Sequence, residues 1–229
     1  MPELDATHQR LDVLQATSGA TRTAHATRLT PAARALHLVI LRGFADTGRP
    51  PSSADFDRTA HTLGVDAAVA MAELVAGDAV VLDRDGAVLV AYPFSATPTL
   101  HRVAVRGGPR VHAMCAVDAL GMSAMLARPV TITAGEPDTD RQVLITVRVD
   151  GEQATFAPAT TVVYAGTTGD WCCGPAAGQR CGTINFFTTT QAAEAWAARH
   201  PQVTGQILDQ RQALAWGVRE FAGLLGATG

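Results

Sequence analysis

The 229-residue sequence contains no lysine, so all 18 of its basic residues are arginine. Schiff-base chemistry and a phosphate-binding P-loop, which both need a lysine, are excluded. Long apolar runs are also missing: none reaches the roughly 18 to 20 residues that cross a bilayer. Met1–Ala20 lacks the basic start and apolar block of a secretory leader. A cytoplasmic protein with no membrane role is therefore expected. Basic excess is absent too, since the net charge is -3 and charged residues make up 17%. Cysteine is scarce. Cys115, Cys172, Cys173 and Cys181 are too few for a disulfide scaffold in a chain this long. No internal repeat or low-complexity linker occurs. What is abundant is apolar residues, 47% of the chain, ample for a packed core.

The spacing of those apolar residues predicts an α+β protein. Residues 1–28 have no clean periodicity and read as a flexible arm with at most one short helix and no functional role. Thr30-Pro31 is a cap followed by a proline in the first turn, and Leu36, Val39, Ile40 and Phe44 continue at helical spacing. Ser52 or Ser53 caps a second helix that ends at Gly64, and a third covers Asp66 to about Val75. Val80–Leu82 and Val88–Val90 flank Asp83-Arg84-Asp85-Gly86 as a hairpin. Three helices and a hairpin give a winged-helix-like segment over 29–95.

DNA binding by that segment is disfavoured. Met1–Ser95 holds 8 arginines against 11 acidic residues, whereas phosphate contact needs a basic surface. Asp66–Glu73, the helix that would enter the groove, offers no arginine, asparagine or glutamine to base edges.

From Pro93–Pro98 the pattern turns from helical to alternating, which places a catalytic α+β domain at 96–229. Strands are expected at Leu100–Val105, Val111–Met114, Val130–Thr133, Val143–Val149, Gln153–Phe156, Val162–Tyr164 and Thr183–Thr188, with Asp150-Gly151 as a turn. Helices at Gln191–His200 and Gln210–Leu225 close the chain. The resulting fold class is a three-helix winged-helix-like segment packed on a mixed or antiparallel sheet with flanking helices.

Chemistry concentrates around two cysteines. Cys115 sits where a strand pattern gives way to a helical one, so the helix dipole should lower its pKa and make it a placed nucleophile or metal ligand. Asp118 follows one turn later on the same face. Cys181 ends an irregular Gly/Pro-rich segment able to reach across to Cys115. Two thiolates beside one carboxylate suit a soft, thiophilic metal with a proton donor next to it. The spacing is not that of structural zinc sites. The seven histidines show no ligand spacing, and His112 reads as structural. Met114, Met122 and Met125 read as core and pocket lining, and Trp171, Phe186 and Phe187 as pocket cover or core.

With Cys115-Ala116-Val117-Asp118-Ala119-Leu120 after a strand, Cys181 about sixty residues on, then Phe186-Phe187 and Ala195-Trp196-Ala197, the chain resembles the organomercurial (alkylmercury) lyases over roughly Thr30–Leu225. The resemblance implies carbon–mercury protonolysis, in which Cys115 and Cys181 hold the mercury of R-Hg+ and Asp118 transfers a proton to the departing carbon. It implies no organic cofactor, external thiols for turnover, and a thiol acceptor of Hg(II) such as a mercuric reductase. Where the family often has a cysteine directly after the second ligand, Gly182 stands here. Cys172 and Cys173 are instead candidate further mercury ligands, in a relay of Hg(II). The alternative is a winged-helix, thiol-based regulator that senses Hg(II) or a similar soft ion without catalysis.

Overall fold

The computed structural model describes residues 21–148, 153–168 and 181–226. The proposed turn at Asp150-Gly151, Trp171 and the pair Cys172-Cys173 lie outside them. Helix α1 spans Arg22–Arg28, α2 Pro31–Thr47, α3 Ser53–Leu63 and α4 Ala67–Ala76. Each begins at a residue whose side chain accepts a backbone N–H of the first turn: Thr21, Thr30, Ser52 and Asp66. Helices α2 and α3 end at Gly48 and Gly64, both left-handed, the second as the sequence predicts. Leu36, Ile40, Leu41 and Phe44 form the buried stripe of α2, and Phe44 stacks on Phe94 with ring centroids 5.1 Å apart. Helix α4 carries no cation along its length and exposes Val69, so it gives the regulator reading no surface with which to grip DNA.

Strands β1 (Val80–Leu82) and β2 (Val88–Ala91) form the expected hairpin. Its turn is fixed by Asp83, whose carboxylate accepts the N–H groups of Asp85 and Ala87 at 2.9 and 2.8 Å. The pattern change near Pro93 marks no break in the sheet. Short strand β3 (Phe94–Ser95) pairs with β2 on one side and with β5 (Arg110–Ala113) on the other. The hairpin thus continues into one eight-stranded sheet with β4 (His101–Val105), β6 (Val130–Gly135), β7 (Gln142–Val147) and β8 (Ala154–Ala157), in the order β1-β2-β3-β5-β4-β6-β7-β8.

Every pairing in it is antiparallel. Strands β6 and β7 bury alternate residues, leaving Val130, Ile132, Val143 and Ile145 on the core face. A second antiparallel sheet has β9 (Val162–Thr167) between β10 (Ile184–Phe187) and β11 (Thr204–Leu208). Strand β11 is not evident in the sequence because Thr204-Gly205-Gln206 lacks alternation; its backbone pairing with β9 makes it a strand.

Helix α5 (Ala116–Leu126) is buried on nearly every side, with Ala116 to Ser123 all inside. It lies between the large sheet and α7 (Gln210–Phe221), while α6 (Thr190–Arg199) covers the small sheet with Trp196. Helices α5 and α7 approach closely because glycines face each other at the crossing. A Cβ on Gly217 would lie 2.8 Å from both Gly121 N and Val117 O. Gly217→Ala forces apart the helix pair that seats Cys115 and is expected to lower stability by about 1–3 kcal/mol. Thermal unfolding with the protein otherwise unchanged checks this value.

Candidate active site

Cys115 leaves β5 in extended conformation (φ -150°, ψ 179°) and becomes the N-cap of α5. Its Sγ accepts the Asp118 backbone N–H at 3.4 Å. That arrangement explains the Cys-x-x-Asp spacing. A cap sulfur meets the N–H of the third helical residue, whose own side chain then projects beside it. Cys181 begins a 3-10 turn, Cys181–Thr183, which leads into β10. Asn185 Nδ2 steadies that turn by donating to Gly182 O at 3.0 Å. One ligand atom each from Cys115, Asp118 and Cys181 lie within 4.8 Å of one another, and all three residues are buried. Both cysteines are free thiols.

Burial dominates the electrostatics. It pushes the Cys115 thiol well above the usual range, and the hydrogen bond with Cys181 and the nearby Asp118 charge push the same way. The expectation that the helix dipole makes Cys115 a resting thiolate is therefore overturned. The cap position supplies one N–H, but removing the sulfur from water costs its anion more. Asp118 is likewise raised by burial, to about 7, against the downward pull of the Cys115 hydrogen bond and the Arg22 charge. Its Oδ2 has no hydrogen-bond partner. A buried carboxyl with one oxygen unpartnered and a pKa near neutrality is equipped to accept and return a proton.

Two further residues belong to this neighbourhood and were not evident from sequence. Arg22 comes from the stretch of which no functional role is expected, yet α1 docks it against the core. Its Nη1 donates to Asp78 O at 2.6 Å, and its guanidinium lies 3.7 Å from the centroid of the Tyr92 ring. The Arg22 backbone N–H meets Glu220 Oε2 at 3.0 Å, which ties α1 to α7. Burial lowers the Arg22 pKa, but Tyr92, Asp78, Cys181 and Asp118 together outweigh it and raise it. Tyr92 is buried with an unpartnered hydroxyl, and burial followed by the Cys181 charge raises its pKa. No periodicity or motif distinguishes Arg22 from the other arginines of the chain.

Several expectations concern residues beside the triad. His112 is structural: its Nδ1 accepts the Thr99 N–H at 3.1 Å. Met122 and Met125 are buried in the core, and Met114 packs against it. Phe186 is core and lies 5.7 Å from the His101 ring, while Phe187 joins Tyr164 and Trp196 in a separate cluster of the small sheet. Core, rather than pocket cover, is the fate of both phenylalanines.

The chain that carries this triad is similar to known proteins. A family model described as alkylmercury lyase matches residues 94–222, more than half of the chain. The chain belongs to the alkylmercury lyase family. An alkylmercury lyase of Staphylococcus epidermidis is 33% identical over 121 residues, 53% of this chain and 54% of that protein. One from Streptomyces lividans is 33% identical over 109 residues (47% and 48%), and one from Bacillus cereus 30% over 136 (59% of each). The match spans about half the length of these alkylmercury lyases. A solved structure, the mercury-bound form of MerB2, superposes with a TM-score of 0.69 over 90% of this chain and 97% of its own at 24% identity. That likeness shows that this chain shares the fold of that structure.

Proposed function

We propose that the protein cleaves the carbon–mercury bond of an organomercurial by protonolysis. The buried triad carries this reading: two thiols and a carboxyl with ligand atoms within 4.8 Å of one another. Mercury is the cargo and the reacting electrophile, and two sulfurs are the donors it prefers.

The steps follow from the protonation states. A thiol-bound organomercurial, R-Hg-SR′, exchanges with Cys115: the Cys115 sulfur bonds to mercury and its proton leaves with R′SH. As the Cys181 sulfur adds to the same mercury, its proton passes to the Asp118 carboxylate. Two thiolates raise electron density on the metal and weaken the Hg–C bond. Asp118 then gives that proton to the carbon, the Hg–C electron pair becomes the new C–H bond, and RH departs. Hg(II) stays on two sulfurs until external thiols remove it, and no organic cofactor enters. Burial serves this sequence, because a carboxyl held near neutrality takes a thiol proton and releases it to carbon with little net cost.

The wider assignment follows the same reading. The enzyme works in the cytoplasm, in thiol excess, and hands Hg(II) to a thiol pair such as that of a mercuric reductase. Cys172 and Cys173 are suited to a relay on that path. Incubation with phenylmercury and excess thiol, followed by gas chromatography, tests the function: steady release of benzene is expected, and no release above a heat-denatured control would overturn it.

A further inference from the structure

Between α1, α4 and Leu224, just beyond α7, lies a cavity of about 350 Å³, inside the size range of small-ligand sites. Its walls are unusual for a protein with net negative charge. Arg22, Arg28, His25 and His37 line it against one carboxylate, Glu73. That carboxylate is already engaged, since its two oxygens accept the Thr30 N–H and hydroxyl at 2.7 and 2.6 Å. Arg28 has no carboxylate partner among the described residues and is exposed. His37 is only 5% exposed, lines the cavity, and its Nε2 has no hydrogen-bond partner. A buried ring nitrogen facing a cavity without a partner is the mark of a site that a polar ligand completes.

The field inside is positive. Burial lowers the His25 pKa first, and the charges of Arg22 and Arg28 lower it further. His37 is likewise held at about 4 by burial and then by Arg22. Arg22 and Tyr92 line this cavity, and the Met114 N–H donates to Pro93 O at 3.1 Å, which sets Tyr92 next to the segment leading into Cys115; both side chains also feel the charges of Cys181 and Asp118.

We propose that this cavity binds the carboxylate of a small ligand presented to Cys115 and Cys181, with Arg28 at its mouth and His37 at its floor. A guanidinium pairs with a carboxylate bidentately, and the apolar remainder of the wall accepts a short carbon chain. The inference rests on the lyase reading only for the claim that the ligand brings mercury. Two sources supply such a carboxylate: the thiol that carries the organomercurial, or the organic group itself.

Two experiments decide the matter. First, calorimetric titration of the mercury-free protein with mercaptosuccinate and with 2-mercaptoethanol should show at least about tenfold tighter binding of the diacid. Arg28→Glu, at an exposed position that folding tolerates, should erase that preference. Equal binding of the two thiols, or a preference unchanged in Arg28→Glu, overturns the proposal whether or not the protein cleaves anything.

Second, hydrocarbon release is compared for phenylmercury carried by mercaptosuccinate, phenylmercury carried by 2-mercaptoethanol, and 4-carboxyphenylmercury carried by 2-mercaptoethanol. A higher kcat/KM for the first alone assigns the carboxylate to the carrier thiol, and for the third alone to the organic group; each advantage should vanish in Arg28→Glu. Release at equal kcat/KM in all three overturns the site. Release in none contradicts the lyase reading and leaves the titration to judge the cavity.

Discussion

Asp118→Asn is expected to make the protein more stable at pH 8 than the wild type while reducing hydrocarbon release about 10³-fold. Both effects come from one cause. The folded protein holds Asp118 at about 7 through burial, above the ordinary carboxylate value near 4. Between those two pH values the folded state binds a proton that the unfolded state has lost. Stability therefore falls as pH rises from about 4 to about 7, and the full penalty persists above that. Roughly three pH intervals at 1.36 kcal/mol each set an upper bound of about 4 kcal/mol. The neutral amide avoids this penalty, so a gain of about 2 kcal/mol at pH 8 is expected, shrinking to near zero at pH 4. Chemical denaturation at the two pH values measures it. The amide cannot carry the proton to carbon, which removes a contribution of about 10²–10⁴ in rate. An active Asp118→Asn variant would remove the carboxyl from the mechanism.

Cys115→Ser and Cys181→Ser should fail in a different way. Oxygen is a hard donor and mercury a soft acceptor, so each serine leaves the metal with one effective sulfur. Hydrocarbon release is expected to drop at least about 10³-fold in both, and Hg(II) retained after gel filtration in competing thiol should fall from one per protein to near zero. The fold should survive at residue 115, because serine caps a helix at least as well as cysteine and the Asp118 N–H would simply donate to its hydroxyl. Asp118→Asn, by contrast, keeps both sulfurs and should retain Hg(II). The pair of phenotypes, metal kept without cleavage and metal lost, separates ligand from proton carrier. If Cys181→Ser turns over at the wild-type rate, mercury does not need the second sulfur.

Much of this arrangement is legible in the sequence. Caps at Thr30 and Ser52, the Asp83–Gly86 turn and the alternation of Val130–Thr133 are local signals, and local physics decides them. The Cys115–Asp118 spacing is equally local, one turn of a capped helix. Cys181 is a nonlocal partner whose approach depends on how the small sheet meets α5. Chemistry, two soft donors and an acid, pairs it with Cys115 where periodicity is silent.

What sequence does not reveal is set by environment. Helix-end position alone predicts a lowered Cys115 pKa, yet burial reverses the sign, and burial of α5 on nearly every side depends on Gly121 and Gly217 meeting across two helices. Arg22 is invisible for the same reason: its significance lies in Asp78, Tyr92, Cys181 and Asp118, all distant in sequence. Strand β3 is two residues long and becomes a strand only through its neighbours.

The most direct measurement is a single turnover in D2O with phenylmercury at substoichiometric concentration. The account predicts one equivalent of benzene carrying a single deuterium, with an equal amount of Hg(II) left on the protein through Cys115 and Cys181. Phenylmercury recovered intact on the thiols, with no benzene formed, would contradict it and leave a protein that binds organomercurials without cleaving them.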